Sequence, residues 1–311
     1  MTGTTGLLAL ASATLLLTGC DEMAWGDSQR YKEDFQFSYD LKPGGRLSLE
    51  NLNGSVEILG HEANKVEIVG TKYAALEQVM KAMKIDVAAS ADAVRIRTVL
   101  PSGHRGNQGA RYVIRVPHRI ELDRIESSNG SIRIEGVEGT ARLRTSNGTV
   151  RVLRLNGPVE IETTNGSIEV NDQTGSVVAR TSNGRIKADG VKGYFEARTS
   201  NGSIDARVTD PEPNRPIKLE SSNGGITLEL TALKGNDVRV GTSNSSITLR
   251  LPQNVNAQLR ARNSNSSISN DFESMMKVGS QSKTYVAGTL GSGGPLIDLS
   301  TSNGKINIQR Y

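Results

Sequence analysis

The phrase Ser127-Ser-Asn-Gly-Ser-Ile132 returns as Thr145-Ser-Asn-Gly-Thr-Val150, Thr163-Thr-Asn-Gly-Ser-Ile168, Thr181-Ser-Asn-Gly-Arg-Ile186 and Thr199-Ser-Asn-Gly-Ser-Ile204. Its asparagines, Asn129, Asn147, Asn165, Asn183 and Asn201, stand 18 residues apart each time. A fixed period of that size marks stacked supersecondary units. Apolar residues alternate with polar ones on both sides of the phrase, the pattern of a strand with one buried face. Ala141/Leu143 precede Asn147 and Val150/Val152 follow it; Val159/Ile161 and Ile168/Val170 then flank Asn165, and Val177/Ala179 and Ile186/Ala188 flank Asn183. Each repeat therefore carries two short strands.

Two folds can hold such a pattern. Asn-Gly between alternating strands is a strong hairpin signal, so an antiparallel meander is one of them. The other is a solenoid, in which equivalent residues of successive coils lie over one another. Three features favour the solenoid. Continuing the alternation places Leu143, Thr145 and Asn147 on one face, so stacking would align asparagine on asparagine and let that column satisfy turn backbone. Outward positions alternate in charge, Arg144, Glu162, Arg180 in one column and Arg151, Glu169, Lys187, Asp205 in another, as neighbours about 4.8 Å apart across parallel strands would require. Later spacings lengthen to 22 (Asn201 to Asn223) and 21 (Asn223 to Asn244, then Asn265), with the additions after the second strand, as in Asp210-Pro-Glu-Pro-Asn-Arg-Pro216. A solenoid tolerates insertions at one corner.

The template extends both ways. Gly45 to Ile58 places Leu47, Leu49, Asn53, Val56 and Ile58 where the regular repeat has Ala141, Leu143, Asn147, Val150 and Val152. The last phrase is centred on Asn303, 38 residues after Asn265. The expected asparagine ladder is thus Asn53, Asn129, Asn147, Asn165, Asn183, Asn201, Asn223, Asn244, Asn265 and Asn303. Between Val66 and Pro117 the phrase is lost, but strand-like runs at 66–69, 85–87, 94–97 and 112–116 predict longer coils of the same stack. Ala74 to Lys84 predicts one short amphipathic helix, with Leu76, Val79, Met80 and Met83 at helical spacing. Tyr31, Phe35, Phe37 and Tyr39 are expected to close the first coil, since a solenoid end exposes core and strand edges. After Ile308 too little chain follows to cover the other end, so an earlier segment must fold over it or another chain must pair with it.

The first residues read as an export signal. Leu7 to Leu17 is apolar but short for a membrane span, and Leu17-Thr18-Gly19-Cys20 follows. This resembles the bacterial lipoprotein cleavage box, which implies lipidation of Cys20 and removal of the preceding chain. No Lys or Arg precedes the apolar run, a departure from such signals. Two or more acyl chains would hold the protein on a membrane that it does not cross. Asp21 resembles the residue that retains some lipoproteins at the inner membrane. Cys20 is the single cysteine, so no intramolecular disulfide can form.

Taken together, the lipoprotein leader, Val116-Pro117 ahead of the repeats, the tandem Thr-Ser-Asn-Gly-x-Ile units and a closing Thr301-Ser-Asn-Gly-Lys-Ile306 resemble the bacterial β-strand-repeat domain family named for adhesins, a domain of unknown function. The resemblance covers Gly45 to the end of the chain and implies a right-handed parallel β-solenoid of about 18–22 residues per coil, with irregular N-terminal coils and the one short helix. The domain organisation expected is a signal peptide over 1–19, a tether over 20–30, an N-terminal cap with irregular coils over 31–126, and the regular repeat solenoid over 127–311.

Chemistry is sparse. The net charge is +4 and aromatic residues make up 4% of the chain, without the one-sided basic stripe and stacking aromatics of a nucleic-acid binder. His61, His104 and His118 have no partner at metal-ligand spacing, and Pro101 to Gly109 lacks the Gly-Lys-Ser/Thr of a phosphate loop. No catalytic residue, metal or cofactor is predicted. The expected role is a lipid-anchored cell-envelope module, at the periplasmic face of the inner membrane or at the outer membrane, binding an unknown protein or glycan through corner loops at Thr209–Pro216 and Thr231–Asp237. Two rival classes remain at this point: an envelope-stress sensor whose end coil accepts a partner strand or oligomerises, and a polysaccharide-active enzyme, which would need carboxylates converging on one groove.

Overall fold

The computed structural model describes residues 29–101, 103 and 106–311. Cys20, the signal segment, most of the tether and His104 lie outside the described residues.

The chain forms a β-solenoid of two long sheets, one of 13 strands and one of 14, facing each other across a continuous core. Each regular coil gives one strand to each. Ala141–Thr145 lies in the 14-stranded sheet and Val150–Leu153 in the 13-stranded sheet; the next coil repeats them as Val159–Glu162 and Ile168–Asn171. Pairing is parallel and in register: Val150 faces Ile168, Ile168 faces Ile186 and Ile186 faces Ile204. The apolar columns Ala141–Val159–Val177–Phe195 and Leu143–Ile161–Ala179–Ala197 fill the space between the sheets. Each fully buried Val, Leu or Ile contributes about 1.5–3 kcal/mol, which lets short strands of low individual stability hold together.

Both ends depart from simple stacking. At the N-terminal end the coil containing Asn53 lies directly against the coil containing Asn129, with Leu47 opposite Leu122 and Val56 opposite Ile132. The excursion between them does not supply further coils in sequence order. It adds one parallel coil outside, Ala93–Val99 and Gly109–Pro117. Antiparallel strands then cover that coil: Lys65–Ala74 and Tyr31–Asp40 on one sheet, Lys84–Ala89 on the other. Antiparallel pairing ends the stack because a reversed strand does not continue the coil path. Phe35, Phe37 and Tyr39 pack on the core from the outermost strand, with Phe35 edge-on to Tyr112 at 5.4 Å. The helix spans only Glu77–Ala82; Val79 and Met80 are buried, while Leu76, at its N-cap, is exposed. The adjoining strands claim Ala74 and Lys84, and Ala75, Leu76 and Met83 fall in the connections.

At the other end the order of coils is not the order of the chain. Leu296–Thr301 inserts between Val238–Gly241 and Ala257–Asn263, and Ile306–Arg310 inserts between Ile247–Leu251 and Ile268–Asn270. The last phrase is therefore an interior coil. The earlier segment covers the end: an antiparallel hairpin, Met276–Gln281 and Tyr285–Leu290, extends the 14-stranded sheet, and Phe272 closes the core. The edge strand of that hairpin carries Lys277 and a register shift between Val278 and Ser280, two devices that blunt strand addition.

Candidate functional site

The repeated corner is built from three adjacent columns with different tasks. The inner one is Ser or Thr two residues before each asparagine. Thr145 Oγ1 donates to the Gly130 carbonyl at 2.9 Å, Thr181 to Gly166 at 3.0 Å and Thr199 to Gly184 at 3.1 Å. At the ends of the column amides replace the hydroxyls: Asn51 Nδ2 donates to the Ala110 carbonyl at 2.8 Å and Asn263 Nδ2 to the Gly304 carbonyl at 2.5 Å. These buried side chains, not the ladder asparagines, satisfy the turn backbone of the preceding coil.

The asparagines occupy the outer corner. Their amides form one unbroken chain: Asn129 Nδ2 donates to Asn53 Oδ1 at 2.7 Å, Asn147 to Asn129 at 2.6 Å, Asn165 to Asn147 and Asn183 to Asn165 at 2.7 Å, Asn201 to Asn183 at 2.6 Å, and Asn223 to Asn201 and Asn244 to Asn223 at 2.7 Å. It continues through Asn303 onto Asn244 and Asn265 onto Asn303, both at 2.8 Å, following spatial rather than chain order. Asn53 Nδ2 closes the first end on the Gln108 carbonyl at 2.7 Å. The alternation that predicted an inward asparagine stops at Thr145. There the chain bends, and the N–H groups of Ser146 and Asn147 both reach the Ser128 carbonyl, turning Asn147 outward into solvent. The glycine forms the third column. A Cβ on Gly184 would stand 1.8 Å from the Gly166 oxygen, so glycine is required by close approach of stacked backbones.

Open depressions lie along the outer face of the 14-stranded sheet, beside this corner. Residues three and five before each asparagine line it, with an exposed Ser or Thr, such as Ser146, Thr164, Ser200, Ser222 and Ser243, immediately before the asparagine. Near the N-terminal third, a depression of about 560 Å³ brings together Asp123, Glu126, Glu160 and Glu162 with Arg124, Arg142 and Arg144. Each carboxylate there is engaged: Arg142 with Asp123 at 2.9 Å, Arg124 with Glu126 at 2.8 Å, Arg144 with Glu162 and Arg180 with Glu160 at 3.3 Å. The expected column alternation holds at Arg144–Glu162 and Arg151–Glu169. Arg180 turns instead to the flanking column, pairing with Glu160 and Glu196, and Asp205 pairs with Arg185.

Farther along, Tyr194 donates to Glu196 at 2.6 Å and lies under the Arg215 guanidinium at 4.6 Å. That hydrogen bond, with Arg180 and Lys218 nearby, holds Glu196 below the usual carboxylate range despite partial burial. Burial and then the bond to Glu196 push Tyr194 up to about 12. A depression of about 610 Å³ lies over Gly241 and Ser300 and is bordered by Arg198, Glu220, Arg239 and Asp298. Asp298 is gripped by Arg260 through two oxygens, at 3.1 and 2.8 Å, and approached by Arg262 at 3.4 Å. Burial alone would raise its pKa, but Arg260, Arg262 and Arg239 outweigh it and hold the carboxyl low.

The loops expected to face a partner are tied to each other. Asn236, fully buried, donates to the Glu212 and Arg215 carbonyls at 2.6 and 2.8 Å, and Lys234 pairs with Asp210. His61 and His118 bond to the carbonyls of Lys65 and Gly136, and among the described residues no group of three or more His, Cys, Asp or Glu is placed to hold a metal. Among those residues, too, no helix is long and apolar enough to cross a membrane.

Two features escaped the sequence reading, the first although its signal is present. Gly139, Gly157, Gly175 and Gly193, again 18 apart, form a second glycine column with φ from +111° to +143°. The depression over Gly241 and Ser300 arises because two small residues follow Arg180, Arg198 and Glu220 in one column. That run becomes visible only once Ser300 is known to neighbour Gly241.

No protein-family model matches the sequence, and no curated protein sequence matches it. Among solved structures, the chain is similar to a protein named for cell adhesion from Clostridium sporogenes ATCC 15579, at 11% identity over 90% of this chain and 100% of that one, with a TM-score of 0.22. It is also similar to a protein named as an adhesin from Bacteroides fragilis NCTC 9343, at 12% identity over 90% of this chain and 97% of that one, with a TM-score of 0.38.

Proposed function

We propose that this chain is a cell-envelope lipoprotein, anchored through lipid on Cys20, whose solenoid serves as a rigid, non-catalytic, adhesin-like binding module. The observation that supports this reading is the state of the carboxylates in the concave sheet face. Asp123, Glu126, Glu160 and Glu162 are each held by an arginine, whereas glycoside hydrolysis needs two carboxyl groups free to protonate and to attack at a common bond. What the face presents instead is a periodic array of hydroxyls, amides and guanidinium groups on a backbone that parallel pairing makes stiff. Such an array suits recognition of an extended polar partner.

The anchor is tested by fractionating cells that express the full chain or its Cys20→Ala variant. The wild type is expected in the membrane pellet and the variant in the soluble fraction; retention of the variant would refute the anchor. Binding is tested by incubating purified protein with isolated envelope polysaccharides. Cosedimentation without cleavage is the expected result, and release of new reducing ends that disappears on substituting one groove carboxylate would replace the reading with an enzyme.

A further inference from the structure

The depression over Gly241 and Ser300 differs from the rest of the concave face in a way that specifies a ligand class. Along the column three residues before the asparagines, the order through space is Arg198, Glu220, Gly241, Ser300, Arg262. Long charged side chains therefore stop for two coils, about 10 Å at strand spacing, and resume beyond. The space they leave, about 610 Å³, is of the size that holds small ligands, whose sites span about 300–1,000 Å³.

Its walls are chemically uneven. Two guanidinium groups, Arg198 and Arg239, and two carboxylates, Glu220 and Asp298, line it, while Arg260 and Arg262 reach Asp298 from outside the lining. Arg198 engages Glu220, and both Arg260 and Arg262 engage Asp298. Arg239, between Lys218 and Asp298 in its own column, makes no ion pair among the described residues. Ser222, Ser243 and Ser300 also lie in the lining, and none of their hydroxyls is donated to another side chain among the described residues. The depression thus offers one fork of N–H donors outside any ion pair, suited to a carboxylate, beside a row of hydroxyls suited to sugar hydroxyls. The charges of the lining balance, and Arg260 and Arg262, paired to Asp298 from beyond it, offset that carboxylate.

We propose that this depression is a subsite for an acidic sugar unit of a polysaccharide, its carboxylate on Arg239 and its ring hydroxyls on Ser222, Ser243 and Ser300. The proposal rests on reading the solenoid as a binding module and adds the ligand class and the place. The concave face runs past both ends of the depression, so a polymer lying along the stack can enter and leave without a chain end.

The test uses the full-length protein in detergent and a galacturonic acid trimer, followed by isothermal titration calorimetry, with a galactose trimer and inorganic phosphate as comparisons. The acidic trimer is expected to bind, more weakly as salt is raised because surface charges are screened, and at least tenfold more tightly than either comparison. Arg239→Gln should weaken it at least tenfold. Gly241→Arg should abolish it by filling the space. A Cβ on Gly241 meets nothing closer than the Ser300 hydroxyl at 3.5 Å, so an unchanged thermal midpoint is expected and separates a blocked site from a misfolded one. Absence of binding, equal affinity for the neutral trimer or for phosphate, or an Arg239→Gln variant that binds like the wild type would each overturn the subsite. If the Gly241→Arg protein still cosediments with envelope polysaccharide, the subsite falls while the binding-module reading stands.

Discussion

Gly184→Ala isolates the contact on which the stacked corner depends. The new Cβ would lie 1.8 Å from the Gly166 carbonyl oxygen and 2.4 Å from its carbon, both backbone atoms that no rotamer change can move aside. Restoring even 3.0 Å, a distance below which real Cβ contacts essentially never fall, requires the two coils to separate at this corner by about 1.2 Å. The bonds crossing it are Thr181 Oγ1 to Gly166 at 3.0 Å and Asn183 to Asn165 at 2.7 Å. Overpacking of this kind costs about 1–3 kcal/mol, and weakening the two hydrogen bonds adds about 1 kcal/mol each, so a loss of about 3–5 kcal/mol is expected. With a urea m-value of about 3 kcal/mol/M, the midpoint should fall by about 1–1.7 M, read by far-ultraviolet circular dichroism. Gly225→Ala is the internal control: its nearest neighbour would be the Ser245 hydroxyl at 3.3 Å, a side chain that can rotate, and its midpoint should stay level or rise slightly. Gly184→Asn distinguishes causes. Gly184 does not have a positive φ, so asparagine should be as damaging as alanine. Variants of Gly184 that lose less than 1 kcal/mol, or an asparagine variant that matches the wild type, would refute the close-approach argument.

Further outcomes follow from the same geometry. Because Asp298 is held below its ordinary range by Arg260, Arg262 and Arg239, its contribution is complete at neutral pH. It is lost as pH falls from the unfolded value of about 4 through the lowered folded one; Asp298→Asn should flatten the acid limb of the stability curve there, measured by urea midpoints from pH 2 to 5. Burial pushes Tyr112 up to about 12, with the Thr98 hydroxyl 2.6 Å away. The folded state therefore keeps a proton that the unfolded state releases near 10, and the Tyr112→Phe variant should lose less stability than the wild type between pH 10 and 12. Deleting Gly291 to Tyr311 removes an interior coil, so it should expose the Ile247–Leu251 edge and raise dye binding to apolar surface. A truncated protein with wild-type midpoint and no such binding would count against the inserted order.

The sequence by itself determined the strands of the regular repeats and the asparagine column, and it favoured parallel stacking over a meander. An 18-residue period combined with a two-residue alternation leaves little freedom: once Ile168 sits over Val150, every other residue of the coil is assigned to a face and a neighbour. What alternation could not show was where a strand ends. Thr145 is the last residue to obey it, so the hydroxyl rather than the amide became the buried partner of the turn, and the asparagine moved to the outer corner.

Only the tertiary structure decided the order of coils at the two ends. Parallel ladders present the same N–H and C=O pattern at every level, and the last phrase matches any coil equally well on its own letters. The 38 residues from Asn265 to Asn303 are long enough to form the closing hairpin and return. The chain therefore places its hairpin outermost and its final coil inside, which leaves the apolar end covered instead of open to water. The same insertion sets Ser300 beside Gly241 and so creates the depression over them from two residues that lie 59 positions apart.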